Sequence, residues 1–419
     1  MPPRPVLVPR VHLGEASSWR SVEAQKFMNR LHKSLDPTLT GHEAESLDRS
    51  LRSMIVGQNE AIDQIVNIYQ THLSGLNAPG RPIANLLFLG PTGSGKTRTV
   101  EATAEALVGN SRAVVKIDCA EFQHSHEIAK LIGSPPGYLG HRDTRALLSQ
   151  ETINQYHTDT VHVSFILFDE IEKASDALWN LLLGILDKAT LTLGDNKKVD
   201  FSQSMIFMTS NLGAREMASL LSPRFGFLSE SADAASATNA FDDKVTSKMA
   251  QTGVEAAKKK FTPEFMNRID KVVVFKPLGE TELRRILDLE LGQVQQRVMN
   301  AKAENPFVFQ VTAAGKDYLL GEGTDLKYGA RHMKRAIERL LVQPLSNLIA
   351  TGQVVNGDWI EVDFDHMRRT LTFHKEQEGL PLQTMTNMVA AGGDLPAFTK
   401  AASVGSETQN TKSASSSPQ

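Results

Sequence analysis

The eight residues Gly90-Pro91-Thr92-Gly93-Ser94-Gly95-Lys96-Thr97 constrain this chain more than any others. They match the pattern G-x-x-x-x-G-K-[ST], and their flanks match what that pattern needs. The apolar run Leu86-Leu87-Phe88-Leu89 before them reads as a buried strand, and Val100 to Leu107 after them is rich in helix formers. A strand, a glycine loop and a helix N-terminus in that order form a cradle for phosphate. Glycines let backbone N–H groups approach anionic oxygens, and the helix end adds partial positive charge. Lys96 is placed to reach the β- and γ-phosphates, and the Thr97 hydroxyl to ligate Mg²⁺. The expected ligand is a nucleoside triphosphate.

Further apolar strands follow at Ala113 to Ile117, Val163 to Phe168 and Met205 to Thr209, each separated from the next by a helical pattern. Leu178, Leu181, Leu182, Ile185 and Leu186 mark one such helix. Ahead of the loop, Ile62, Ile65, Val66 and Tyr69 recur at helical spacing within Asn59 to Leu73. Strands alternating with helices predict an α/β fold with a parallel sheet between helices. Residues 46–275 form this first unit, interrupted at 219–250 by a polar, Ser- and Ala-rich stretch expected to be a mobile insertion. Residues 276–375 read as a smaller α+β domain, with helices over Glu280 to Met299 and Tyr328 to Ala350. Its strands are expected at Phe307 to Phe309, Trp359 to Val362 and Thr370 to Phe373. Residues 1–45 read as a partly helical or flexible extension. Residues 376–419 turn to Ala, Ser, Thr, Gly and Gln, a composition expected to stay disordered.

The second chemical signal is Phe165-Ile166-Leu167-Phe168-Asp169-Glu170, an apolar strand ending in two carboxylates. In a parallel sheet such an end lies beside the phosphate loop. Asp169 would then hold Mg²⁺ and Glu170 would act as general base on the attacking water. Asn211, after Met208-Thr209-Ser210, ends the next strand with an amide able to orient water or a phosphate oxygen. The net charge of −3 leaves no basic footprint for nucleic acid or anionic membrane. Cys119 is the single cysteine, which rules out an internal disulfide and a multi-cysteine zinc site. His126-Glu127-Ile128-Ala129-Lys130 has Lys where a zinc helix needs its second His. With no run of ~18 apolar residues and no signal-peptide pattern, a cytoplasmic location is expected.

The ordered motifs together resemble the AAA+ family, and within it the Clp unfoldases and the second ATPase domain of ClpB-like chaperones. The resemblance runs from roughly Leu47 to Phe373. It rests on Val56-Gly57-Gln58-Asn59-Glu60-Ala61, the phosphate loop, Gly137-Tyr138-Leu139-Gly140, Asp169-Glu170-Ile171-Glu172-Lys173-Ala174 and Thr209-Ser210-Asn211-Leu212-Gly213. Phe261 to Asp270 and Tyr328-Gly329-Ala330-Arg331 complete the set. What it implies is an AAA+ domain followed by a C-terminal lid domain, with ATP and Mg²⁺ as cofactors. It also implies a homo-oligomeric ring, in family terms a hexamer, acting on unfolded or tagged protein and not on nucleic acid or membrane. Val56 would line the nucleotide pocket and Asn211 would be sensor 1. Arg331 would be sensor 2 on its own subunit's γ-phosphate, and Arg268 the arginine finger that completes a neighbour's site. Tyr138 and Leu139 would be the pore-loop pair that grips an extended polypeptide. Residues 187–199 resemble the second axial loop, and Asn196 to Val199 lacks the Asp of guanine readers.

Two points depart from the familiar members. The chain shows no separate substrate domain ahead of the ATPase unit, so a single-tier ring is expected. Arg224-Phe225-Gly226-Phe227 falls where degrading relatives carry a tripeptide for docking on ClpP. Phe227 favours docking, while the neighbouring residues fit the non-docking relatives, and both readings stand at this point. The competing functional class is an AAA+ motor or loader acting on nucleic acid, which would call for basic axial loops or a winged-helix module.

Overall fold

The computed structural model of the chain describes residues 36–134, 146–214, 216–217, 234–300, 306–324 and 330–390, with backbone alone over 234–246. Tyr138, Leu139 and Phe225 to Phe227 lie outside the described residues, as do residues 1–35 of the extension expected to be partly helical or flexible.

The strand carrying the phosphate loop at its end, β1 (Ala84–Leu89), is buried at every position. It is an inner strand of a five-stranded sheet with β2 (Val114–Asp118), β3 (Ser164–Asp169), β6 (Ser204–Ser210) and β7 (Lys271–Val274), in the order β2-β3-β6-β1-β7. All pairings are parallel. A parallel sheet is covered on both faces, which explains why the central strands β1, β3 and β6 read as apolar runs. The period of two then splits each run. Leu87, Leu89, Ile166, Phe168, Ile206 and Met208 enter one core, and Leu86, Phe88, Phe165, Leu167, Met205 and Phe207 enter the other. The second core is closed by α1 (His42–Met54), α2 (Asn59–Leu73) and α3 (Lys96–Val108). The first is closed by α4 (Asp176–Lys188) and the C-terminal part of α5 (Ala234–Lys260). A hairpin of β4 (Thr190–Thr192) and β5 (Lys198–Asp200) carries the Leu193 to Lys197 turn.

Beyond residue 276, α6 (Glu280–Asn300), α7 (Ala313–Gly323), α8 (Arg331–Ile337) and α9 (Gln343–Ala350) pack with a three-stranded sheet. That sheet holds β8 (Val308–Val311), β9 (Trp359–Asp365) and β10 (Thr370–Gln377) in the order β10-β9-β8. A π-helical segment, Glu338–Val342, joins α8 to α9. Pro344, near the start of α9, cannot donate to an i−4 carbonyl, and a widened turn absorbs that loss.

Three expectations are corrected. Of the insertion expected at 219–250, the part from Ala234 is helical, and Met249 and Ala257 of that helix enter the core, while residues 219–233 lie outside the described residues. Ala, Met, Gln and Lys are good helix formers, and a polar average hid the apolar stripe. Of the tail expected to be disordered over 376–419, residues 376–390 hold the end of β10 and α10 (Leu382–Ala390), and residues 391–419 lie outside the described residues. Met385 and Met388 of α10 bury against Val308 and Trp359. Three residues apart, they lie on one helix face, which a composition count cannot register. The last residues of the N-terminal extension already belong to α1, where Ala44 is fully buried.

Candidate functional site

Gly90 is where β1 gives way to the phosphate loop, and its φ of 147° accompanies a close approach to the end of β7. A Cβ there would meet the Phe275 carbonyl oxygen at 2.6 Å. Phe275 in turn donates its N–H to Leu89 O at 2.7 Å. Only glycine fits that contact. Gly93 and Gly95, with φ of 79° and 100°, turn the following backbone. Lys96 then opens α3.

Lys96 is 7% exposed. Its ammonium donates to Gly90 O at 2.8 Å, Pro91 O at 2.9 Å and Asn211 Oδ1 at 3.0 Å. Burial pushes it down to about 8, opposed by the charges of Asp169, Glu172 and Glu170 and reinforced by Arg331. The folded value lies below the ordinary lysine value. Its effect on stability is therefore a penalty, full below pH 8 and relieved as the pH rises through the unfolded value. A bound polyphosphate would restore the charge, so binding above pH 8 must take up a proton. Nucleotide affinity is expected to fall with rising pH above about 8, by up to about tenfold per unit. Calorimetric titration in buffers of different ionisation heat, read as proton uptake, checks it.

The two carboxylates stand beside this lysine because β6 separates β1 from β3. Thr209 Oγ1 donates to Asp169 Oδ1 and accepts from the Glu170 N–H at 3.1 Å. One hydroxyl thus sets the turn at the end of β3. Glu170 takes a left-handed φ of 56°, a strained conformation for a non-glycine residue. Its Oε1 accepts from Asn211 Nδ2 at 3.1 Å, and its Oε2 is held by the Lys173 ammonium. Asn211 is therefore shared, its oxygen on Lys96 and its amide nitrogen on Glu170. Its own N–H donates to Glu172 Oε1 at 3.1 Å.

A cavity of about 320 Å³ opens over these groups. Thr92 to Arg98, Asp169, Glu170 and Asn211 line its polar side, and Arg331 and Lys334 come from α8. Ile55, Val56, Leu278, Ile286 and Leu289 form its apolar part. The donor set fits a nucleoside triphosphate: cations and a helix N-terminus suit the phosphates, and aliphatic side chains suit a flat base. Thr97 and Asp169, both lining the cavity, are the pair that would hold Mg²⁺. The smaller domain closes the cavity, with the Ala330 N–H reaching Gly93 O at 3.4 Å.

Of the residues singled out from the sequence, Val56, the loop from Thr92 to Thr97, Asp169, Glu170, Asn211 and Arg331 meet at this cavity. Gly90 and Pro91 face the same lysine through their carbonyls. Arg268 does not join them. It precedes β7 at the opposite end of the sheet, where β1 begins. Its guanidinium is held by Glu264 Oε1 at 3.2 Å and Asp187 Oδ2 at 3.8 Å. Sequence reasoning gave no role to Gln58. That side chain is buried, and its Nε2 donates to Ser94 O at 3.1 Å and Lys276 O at 2.9 Å, while its Oε1 accepts from the Lys276 N–H at 3.1 Å. It pins the phosphate loop to the junction between the two units. The signal was Gly57-Gln58 before a helix, with Gly57 at a φ of 78°.

Residues 81–272 match the family described as AAA domain (Cdc48 subfamily). Residues 278–362 match the C-terminal, D2-small domain of ClpB protein. The chain is similar to the ATP-dependent Clp protease ATP-binding subunit ClpC of Staphylococcus saprophyticus, 35% identical over 320 residues, covering 76% of this chain and 36% of that one. It is similar to chaperone protein ClpB 1 of Parasynechococcus marenigrum, 36% identical over 317 residues, covering 76% and 33%. The chain thus spans about a third of the length of these relatives. Among solved structures it resembles a closed-state cryo-EM reconstruction of Hsp104 with ATPγS and FITC-casein. The TM-score is 0.61 at 28% identity, over 79% of this chain and 52% of that one.

Proposed function

The chain belongs to the AAA ATPases of the ClpB and ClpC kind, and from that membership we propose that it hydrolyses ATP to unfold and thread polypeptide through a ring of its own copies. In this reading residues 46–275 are the ATPase domain and 276–375 the lid. The ring has six subunits, as in the family the motifs resemble.

One observation carries the reading: Arg268 stands at the far end of β1 from the phosphate loop. The strand has six residues, and at about 3.3 Å each they put roughly 17 Å between its ends. An arginine there is out of reach of its own site and available to another copy, as a head-to-tail ring requires. ATP is the donor of the γ-phosphoryl group, and Mg²⁺, which Thr97 and Asp169 would hold, would offset charge on the phosphate oxygens. Lys96 and Arg331 bind the phosphates, and Asn211 orients the base relative to Lys96. Glu170 takes a proton from the attacking water once it leaves Lys173. Arg268 of the next copy stabilises charge as the phosphoryl group passes to the water oxygen and ADP leaves. Tyr138 and Leu139 grip the moving chain. The ClpC relatives are by name ATP-binding subunits of a protease, and Phe225-Gly226-Phe227 is the segment through which this chain would meet one.

The test is a comparison of effectors. Casein is expected to stimulate phosphate release and single-stranded DNA to leave it unchanged, and Tyr138→Ala is expected to keep ATP turnover while losing unfolding of a tagged fluorescent protein. Stimulation by DNA in place of casein would transfer the chain to the nucleic-acid motors. Among the described residues no helix is long and apolar enough to cross a membrane.

A further inference from the structure

The end of β1 away from the phosphates carries a residue that the chemistry above does not use. Asn85 is fully buried, in a strand otherwise made of Ala, Leu and Phe. A buried amide is costly unless its hydrogen bonds are made. Its Nδ2 donates to Leu186 O at 3.1 Å and to Arg268 O at 3.0 Å. Its backbone exchanges hydrogen bonds with Asp270, N–H to Oδ2 at 2.8 Å and O from N–H at 2.9 Å. Its Oδ1 has no partner among the described residues. A side chain that leaves its acceptor unpaired in the core is held there by its donors.

Both donors go to segments that bear on one guanidinium. Leu186 precedes Asp187, whose carboxylate faces Arg268 Nη2, and the second carbonyl is that of Arg268 itself. Arg268 Nη1 also donates to Glu264 O at 2.9 Å, and its Nε, like Asn85 Oδ1, is buried without a partner among the described residues. One amide therefore ties the arginine's backbone, the last turn of α4 and β1 into a single unit. We propose that Asn85 is a positioning residue for Arg268. It fixes the backbone from which the arginine is presented to the next copy, and it joins that backbone to the strand that ends in the phosphate loop. The proposal rests on the reading of Arg268 as acting in trans.

The experiment is subunit mixing with Asn85→Leu, close in size but without donors, and with Asn85→Ser, too short to reach both carbonyls. Each variant is expected to bind a fluorescent ATP analogue as the parent does. Each should release phosphate about 10²-fold more slowly, the cost of a catalytic group misplaced by ~1 Å. Mixed with Glu170→Gln, which retains Arg268 but lacks the base, each is expected to turn over faster than the sum of its parts. In such rings the intact Glu170 of one subunit receives a well-placed Arg268 from its neighbour. Arg268→Ala mixed with Glu170→Gln is the reference. If the reference recovers and the Asn85 variants do not, the positioning role is overturned while the trans reading stands. If the reference itself fails to recover, the trans reading falls and the proposal with it. Unchanged turnover, or loss of nucleotide binding in both variants, also overturns it, the latter by reducing Asn85 to a requirement of the fold.

Discussion

Arg268→Ala is expected to lower ATP turnover by about 10³–10⁵-fold in P-loop terms while nucleotide affinity is unchanged. The two halves of that expectation come from one geometric fact. Arg268 sits where β1 and β7 begin, and the nucleotide cavity opens where β1 ends. The substitution therefore removes nothing from its own subunit's cavity. It does remove the ion pairs to Glu264 and Asp187, in which the arginine is 22% exposed and the acids are 63% and 46% exposed. Pairs this open contribute on the order of 1 kcal/mol or less, so the variant should melt close to the parent. Phosphate release measured across protein concentration, beside an equilibrium titration with a fluorescent ATP analogue, separates the two halves. Full turnover in the variant would end the role in trans, and a matching loss of affinity would place the arginine in its own site.

Glu170→Gln is expected to slow hydrolysis by about 10²–10⁴-fold, the usual worth of a positioned general base. The reasoning is again local. The carboxylate sits beside Asp169 at the end of β3, and Asn211 links it to the lysine that would hold the phosphates. Glutamine preserves the bond from Asn211 Nδ2, since an amide oxygen accepts there as well. Only the proton-accepting capacity and the pair to Lys173 are lost. That pair is between groups 46% and 33% exposed, so little stability goes with it. The variant should retain ATP and hold engaged polypeptide long enough for isolation. Turnover within a few-fold of the parent would move the base elsewhere, with Glu172, whose Oε2 is buried without a partner among the described residues, the first place to look.

Parts of the fold were readable in advance for a definite reason. β1, β2, β3 and β6 are apolar along most of their length because both faces of a parallel sheet are covered. β7 was not seen. It has four residues, Lys271–Val274, the first of them exposed, and it runs straight into Phe275-Lys276-Pro277. Its strand character comes from pairing with β1, which local composition does not encode. α10 was missed because two buried methionines among polar neighbours look like a tail unless β8 and α6 are present to receive them.

The site divides in the same way. Which residues meet at the cavity was written in the order of residues. A phosphate cradle needs consecutive backbone N–H groups, and a carboxylate pair at a strand end needs only that strand. Lys96, Thr97, Asp169, Glu170 and Asn211 could thus be named from short stretches of chain. Which groups hold these in place depends on strand order and register, and no local stretch contains either. Thr209 bridges Asp169 and Glu170 because β6 lies against β3. Gln58 spans Ser94 and Lys276 because the chain returns beside α2 after more than two hundred residues. The placing of Arg268 opposite its own phosphate loop follows from β7 running parallel to β1, so that both begin at the end remote from the phosphates. The motif residues were local and therefore legible, whereas direction and distance were settled by packing between segments far apart in the chain.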